Sequence, residues 1–126
     1  MNGSKSPADP DANWPAELDA MIAAPAHHVV LFENEHVRVL DTHVGPGETT
    51  PVHTHRWPGV LYFLGSSHFV RHDGDGRVLV DSRVDGSMPT PGAAVWIDAL
   101  APHFVENVGS SELRAIAVEW KRGAPG

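Results

Sequence analysis

The 126-residue sequence contains no cysteine, one tyrosine and only 9 lysine and arginine residues. Without cysteine, disulfide bonds, thiolate metal ligands and thiol nucleophiles are excluded together. This absence suits a reducing compartment, and we expect a cytoplasmic protein. No apolar run approaches the ~20 residues of a membrane-spanning helix, and residues 1–7 lack the apolar core of a secretory signal.

Positive charge is scarce and scattered. The 16 acidic residues outnumber the 9 basic ones, for a net charge of −7, and the arginines stand singly along the chain. Nucleic acids and anionic membranes are recognised through clustered lysine and arginine. We therefore expect neither as a partner.

Glycine, proline and histidine are abundant by comparison. The 12 glycines and 11 prolines indicate many turns, and 9 histidines is a high number for this length. Histidine is the side chain that most often ligates metals. With 41% hydrophobic and 20% charged residues, the composition is typical of one globular domain. We predict a flexible N-terminal tail over residues 1–12 and a single domain over residues 13–122.

A short helix is predicted at the start of the domain, and strands over the rest. Asn13 is suited to cap a helix that has Pro15 in its first turn and that Pro25 ends. The run from Asp73 to Gly76, which reads Asp-Gly-Asp-Gly, is a strong hairpin signal. Short strands between regular turn signals are typical of an all-β antiparallel sandwich or barrel. The predicted strands cover residues 28–32, 36–44, 50–55, 59–64, 67–72, 77–84, 93–97, 103–108 and 113–120.

Two histidines two positions apart are the first candidate site. His53 and His55 lie on a predicted strand, where alternate side chains point to the same face, so their imidazoles can converge on one ion. A pair of this kind is weak evidence by itself. His103 begins a later predicted strand and supplies a third imidazole if the two strands meet.

The spacing around this pair follows a longer pattern. Gly47 lies six residues before His53, and Gly59 and Ser66 follow His55. The sequence here resembles the first motif of the cupin superfamily, in which glycine, His-x-His, glutamate and a closing glycine follow one another. The departures are Gly59 in place of the glutamate and Ser66 in place of the closing glycine.

The second cupin motif is matched in part. Gly92, His103 and Asn107 stand where the superfamily has glycine, histidine and asparagine, whereas Asp98 and Leu100 replace its proline and glycine. The resemblance covers about residues 28–120. It implies a single-domain antiparallel β-barrel of the jelly-roll type, and small cupins commonly pair through their outer strands, which implies a homodimer. We take Asn107 to be a structural hydrogen-bonding residue.

The resemblance also implies a metal site. Cupins bind a divalent metal through three histidines and one glutamate, and this chain keeps His53, His55 and His103 without the carboxylate. The fourth ligand is left open between Asp98, His43 and water. The other histidines, among them His43, are expected on the surface or on strand faces: His27, His28, His36, His43, His68 and His72.

Three neutral imidazoles leave the charge of a divalent metal uncompensated, which favours an anionic or chelating substrate. Sites of this type suit Fe(II) and oxygen chemistry, and three-histidine cupins include dioxygenases. We therefore predict a dioxygenase-type oxidoreductase that acts on a small-molecule substrate with Fe(II), in which Tyr62 or a bound water handles protons. Zinc, manganese or nickel in a lyase, isomerase or hydrolase is the first alternative. A non-catalytic cupin that binds a metal or a small molecule is the second.

Overall fold

The computed structural model describes residues 14–121, which form two antiparallel β-sheets with little helix. The five-stranded sheet has the order β1-β2-β9-β4-β7, and the four-stranded sheet has the order β3-β8-β5-β6. This arrangement confirms the predicted all-β jelly roll. The strands are β1 (His28–Glu33), β2 (Val37–Val44), β3 (His53–His55), β4 (Gly59–Gly65), β5 (Phe69–Asp73), β6 (Val78–Asp81), β7 (Ala94–Ile97), β8 (Leu100–Asn107) and β9 (Leu113–Trp120).

The predicted N-terminal helix is present, but it is short and interrupted. A 3-10 helix covers Ala16–Leu18, and α1 covers Ala20–Ala23. Asp19 separates them because its backbone is extended and its carboxylate caps α1 by accepting a hydrogen bond from the Met21 amide at 3.1 Å. The predicted cap Asn13 and the predicted tail over residues 1–12 lie outside the described residues.

The hairpin between β5 and β6 is confirmed. The Asp73 carboxylate accepts hydrogen bonds from two backbone amides within the turn, and Gly76 has a φ of +92°, which favours glycine. The predicted strand over residues 77–84 is too long. Asp81 ends the strand because its side chain caps the short helix α2 (Ser82–Asp85), and Gly86 ends that helix in the left-handed conformation.

Side-chain size on β9 determines where the cavity lies. The large side chains of Val118 and Trp120 face outward. The inner face carries the buried residues Ala115, Ala117 and Glu119. Because the two alanines fill little space, a cavity of about 300 Å³ remains between the sheets.

No helix within residues 14–121 is long and apolar enough to cross a bilayer.

Asn107 at the end of β8 ties this end of the barrel together. Its buried amide donates to the carbonyls of Val44 and Ser111, at 2.8 Å in both cases. Its Oδ1 accepts from the Ser67 hydroxyl at 2.8 Å and from the Gly109 amide at 3.0 Å. The hydrogen-bonding capacity of the side chain is thus used within the fold, in accord with the structural role predicted for it.

Candidate metal centre

Four histidines from three strands meet at one end of the cavity. His53 and His55 lie on β3, His103 is the direct partner of His53 on β8, and His28 begins β1. The ring centroids are 4.4 Å apart for His53 and His103 and 5.1 Å apart for His53 and His55. His28 lies 4.9 Å from His53 and 5.1 Å from His55. The structure therefore brings the three predicted residues together and adds a fourth.

The tightest group of ligand atoms contains His28. One ring nitrogen each of His28, His53 and His55 lies within 4.8 Å of the others. His103 is next to this group, with its ring 5.7 Å from that of His55. His28 was expected on the surface or on a strand face. It does lie on a strand, at the start of β1, but its side chain is buried and packs against His53 and His55.

Hydrogen bonds to Nδ1 orient each of these rings. His53 Nδ1 lies 2.8 Å from the Pro51 carbonyl, and His103 Nδ1 lies 2.7 Å from the Ala101 carbonyl. In both cases the partner is the residue two positions earlier in the chain; Ala101 lies on β8, and Pro51 lies just before β3. A carbonyl only accepts, so Nδ1 carries the proton and Nε2 keeps its lone pair. This is how metal-binding histidines are commonly fixed in one tautomer.

The other two rings follow the same rule with different acceptors. His28 Nδ1 lies 2.9 Å from the carbonyl of Ala24, which follows the last turn of α1. His55 Nδ1 lies 2.7 Å from Oε2 of Glu119 on β9. All four Nδ1 atoms therefore have an acceptor, and no Nε2 of these rings makes a hydrogen bond within residues 14–121. Four lone pairs are left available at one site.

Burial keeps three of these imidazoles neutral, those of His28, His53 and His103. Desolvation, helped by the charge of neighbouring histidines, lowers the pKa of His28 to about 3 and that of His53 to about 4. Desolvation also lowers the pKa of His103 well below its usual value. A neutral imidazole is the form that binds a metal ion, so the site favours a cation over protons at neutral pH.

The carboxylate behind His55 belongs to a buried charge network. Glu119 Oε1 accepts from Arg38 Nε at 2.7 Å, and the two terminal nitrogens of Arg38 donate to Asp19 at 3.0 and 3.1 Å. Burial raises the pKa of Glu119, but the hydrogen bond from His55 and the charge of Arg38 outweigh it, and the net shift is downward. Glu119 is therefore an anion, paired on both oxygens.

Gly59 explains why the expected motif glutamate is missing. A Cβ atom at this position would lie 1.9 Å from the carbonyl oxygen of Val118, so the backbone of β9 leaves no room for a side chain. Gly59 is also the direct cross-strand partner of Glu119. The nearest carboxylate thus comes from the neighbouring strand, and it contacts Nδ1 of His55.

Of the remaining predicted candidates, Asp98 and His43 line the same cavity as the histidines, whereas Tyr62 does not. Tyr62 on β4 is 44% exposed on the outer face of its sheet and is not among the residues that line the cavity. Asp98 lines the cavity mouth, where its exposed carboxylate accepts from Trp96 Nε1 at 3.1 Å. His43 lines the cavity beside His27. The structure does not bring Tyr62 together with the histidines.

The sequence analysis missed both His28 and Glu119. His28 lacks a motif, because its position depends on the α1 carbonyl that it contacts. For Glu119, strand alternation offers a signal. Glu119 stands on the same face of β9 as the small residues Ala115 and Ala117. A carboxylate on such an inward face needs a buried partner, so its presence there indicates one.

This donor set fits a divalent transition metal. It consists of four imidazoles with fixed tautomers. Those of His28, His53 and His103 are buried and neutral, and that of His55 is backed by a carboxylate. Imidazole suits zinc, copper, iron and nickel, whereas magnesium and calcium prefer oxygen ligands. The structure therefore contains a possible metal site of at least three histidines next to an apolar cavity.

The sequence matches no protein-family model and no curated protein. The structure is similar to a cupin domain from Bordetella pertussis Tohama I, with a TM-score of 0.61 at 22% identity over 75% of this chain and 91% of that one. An RmlC-like cupin with a double-stranded β-helix fold from Methanocaldococcus jannaschii gives a TM-score of 0.52 at 17% identity, over 77% and 84%. The polyketide cyclase RemF from Streptomyces resistomycificus gives 0.50 at 22% identity, over 75% of this chain and 63% of that one. The chain therefore has the cupin fold that its motifs predicted.

Proposed function

We propose that this protein is a metal-dependent enzyme that acts on a small organic molecule. The observation that carries the proposal is the set of four clustered histidines whose Nδ1 atoms are all hydrogen bonded. Rings that served only to fill the core would not need a common tautomer. His53, His55 and His103 are the proposed metal ligands, and His28 is proposed to complete the set.

The proposed reaction is an oxidation of the dioxygenase type with Fe(II). The bound metal would supply coordination positions for O₂ and a chelating substrate. The protein contributes neutral ligands and a cavity whose walls are mainly apolar, which excludes water from the reacting groups. Glu119 holds His55 in position, and its charge is shared with Arg38 rather than with the metal.

Metal analysis of the purified protein tests the site. We expect about one divalent transition metal per chain, and its loss in His53→Ala and His55→Ala. His36→Ala is the matched control, since His36 is exposed and remote from the cluster. Full metal content in both site variants would contradict the proposal. Oxygen consumption by the iron-loaded protein with thiols and diketones then tests the reaction type.

A second candidate is redox-neutral chemistry with Zn(II) or Ni(II) acting as a Lewis acid. One observation favours it, since one structurally similar protein is a polyketide cyclase. Firmly bound zinc without iron in the purified protein, and no oxygen consumption after iron loading, would favour this candidate over the dioxygenase.

We further propose that a second copy of the chain covers the outer face of the five-stranded sheet. Phe32, Tyr62, Trp96 and Trp120 share this face and are 54%, 44%, 59% and 58% exposed. An aromatic side chain can bury about 150–250 Å², so the exposed halves of these four alone offer roughly 400 Å². That is half of the ~800 Å² per partner in a standard interface, and neighbouring valines and leucines extend it.

Light scattering coupled to gel filtration tests this interface. We expect a dimer for the wild type and a monomer for the double variant Trp96→Lys/Trp120→Lys. Val84→Lys is the control. Val84 is 83% exposed on α2, which follows β6 of the four-stranded sheet, so its replacement should leave the dimer intact. A wild-type monomer, or a dimer that survives the double substitution, would refute the proposed interface.

A further inference from the structure

Arg71 places a positive charge inside the cavity, close to the histidine cluster. It lies on β5 opposite Val105 of β8, and Val105 follows His103 by two residues, so all three share the inner face of the four-stranded sheet. Diagonal neighbours of this kind are roughly 7–8 Å apart. The guanidinium therefore faces the same space as the proposed metal ligands.

Within residues 14–121, Arg71 has no ion-pair partner. Its Nε atom is buried and makes no hydrogen bond to any described residue. Arg38, Arg83 and Arg114 each pair with a carboxylate. The pKa values of the two buried guanidinium groups shift in opposite directions. Burial alone lowers the pKa of Arg71. Burial also opposes the charge of Arg38, but Asp19 and Glu119 outweigh it and the net shift of the Arg38 pKa is upward.

The carboxylates that line the cavity already have other partners. Glu119 is held by Arg38 and His55, and Asp98 accepts from Trp96 at the cavity mouth. A guanidinium stays protonated in proteins, and a buried charge without a partner reduces folding stability. An arginine in this position therefore stabilises the fold less than an apolar residue would, which points to a ligand.

We propose that Arg71 binds the carboxylate of a small organic acid whose other end faces the histidine cluster. That one end of the substrate faces a metal rests on the proposed function. That the carboxylate end is bound rests on Arg71 alone. A guanidinium matches a carboxylate with two parallel hydrogen bonds. The cavity volume of about 300 Å³ corresponds to roughly ten groups of the size of a water molecule, at ~30 Å³ each. Its apolar walls, among them Leu61, Phe63 and Val105, favour a short hydrocarbon chain between the two ends.

Binding of butyrate and of its neutral analogue butyramide tests the proposal in both metal-free and zinc-loaded protein. Isothermal titration or NMR chemical-shift mapping should detect butyrate, with butyramide at least tenfold weaker. Arg71→Met should weaken butyrate binding at least tenfold, and Arg71→Lys by less. Arg77→Met is the control, because Arg77 is exposed in the hairpin and should not affect binding.

Stability separates a binding role from a structural one. Because Arg71 is half-buried and its buried Nε atom has no described partner, Arg71→Met should raise the urea midpoint of unfolding, whereas loss of a structural arginine would lower it. Equal butyrate affinity in the wild type and Arg71→Met would overturn the proposal, as would a lowered midpoint. If the protein binds no metal but still binds butyrate through Arg71, the proposed metal chemistry fails and the carboxylate site stands.

Discussion

His55 and Glu119 lie 64 residues apart in sequence and are joined by a hydrogen bond of 2.7 Å between Nδ1 and Oε2. The two residues belong to different sheets, since β3 is in the four-stranded sheet and β9 in the five-stranded one. The bond therefore fixes a proposed metal ligand against the opposite wall of the barrel. Arg38, the direct cross-strand partner of Glu119, fixes the carboxylate in turn.

Glu119→Gln should lower metal affinity while the protein stays folded. The amide oxygen can still accept from His55, but the negative charge that makes the imidazole a stronger ligand is lost. Outer-shell partners of this kind are worth about 10–100-fold in metal affinity. Competition titration with a chromophoric chelator measures the change. Glu112→Gln, at an exposed carboxylate, should bind metal like the wild type, and equal affinity of the two variants would exclude the positioning role of Glu119.

Arg38→Met should destabilise the fold more than any surface arginine substitution. It leaves Glu119 and Asp19 buried without their cation, and breaking a buried pair in this way costs about 3–5 kcal/mol. Urea unfolding measures the loss. Arg114→Met removes the exposed pair with Asp41 and should cost much less, because solvent screens an exposed ion pair. Similar losses in both variants would mean that the buried network contributes no more than a surface pair.

Gly59→Ala should be poorly tolerated because its Cβ would lie 1.9 Å from the Val118 carbonyl oxygen. Crowding of backbone against a new atom costs about 1–3 kcal/mol or more. Gly74→Ala is the matched control, since its Cβ would come no closer than 3.4 Å to its neighbours. Thermal denaturation compares the two, and a Gly59→Ala protein as stable as Gly74→Ala would disprove the steric explanation for the missing glutamate.

As the pH falls, the metal-free protein should begin to lose stability at a higher pH than protonation of its carboxylates alone would cause. Burial lowers the pKa of His28 to about 3 and of His53 to about 4, whereas unfolded histidine titrates near 6.5. Between these values the unfolded chain binds more protons than the folded one. Stability is therefore fully present above pH ~6.5 and falls below it, by up to about 1.4 kcal/mol per pH unit for each group.

Urea midpoints measured from pH 8 to pH 4 check this prediction. The carboxylates add to the decline only at lower pH, because the pKa values of Glu119 and Asp19 are lowered in the fold and the stability they contribute is lost as they protonate. A double variant His28→Gln/His53→Gln should have a flatter profile between pH 6.5 and pH 4. An unchanged slope in that variant would show that other groups govern the acid response.

Local sequence determined most of the strands, the hairpin and the jelly-roll class. Alternation, turn residues and the Asp73 hairpin depend on near neighbours, so each could be predicted without tertiary contacts. The first helix and the end of β6 were less accurate. In both places an aspartate side chain, Asp19 or Asp81, caps a helix that propensity alone does not position.

The motif spacing in the sequence was sufficient to select His53, His55 and His103 as candidates, because residues two apart on a strand share a face. Only the tertiary structure brought His28 and Glu119 to them. His28 depends on the carbonyl at the end of α1, and Glu119 on the pairing of β9 with both β2 and β4. Contacts between residues dozens of positions apart follow from the order of strands in the sheets, which local sequence patterns do not encode. The same order placed Arg71 near His103. It also left Tyr62 on the outer surface of its sheet.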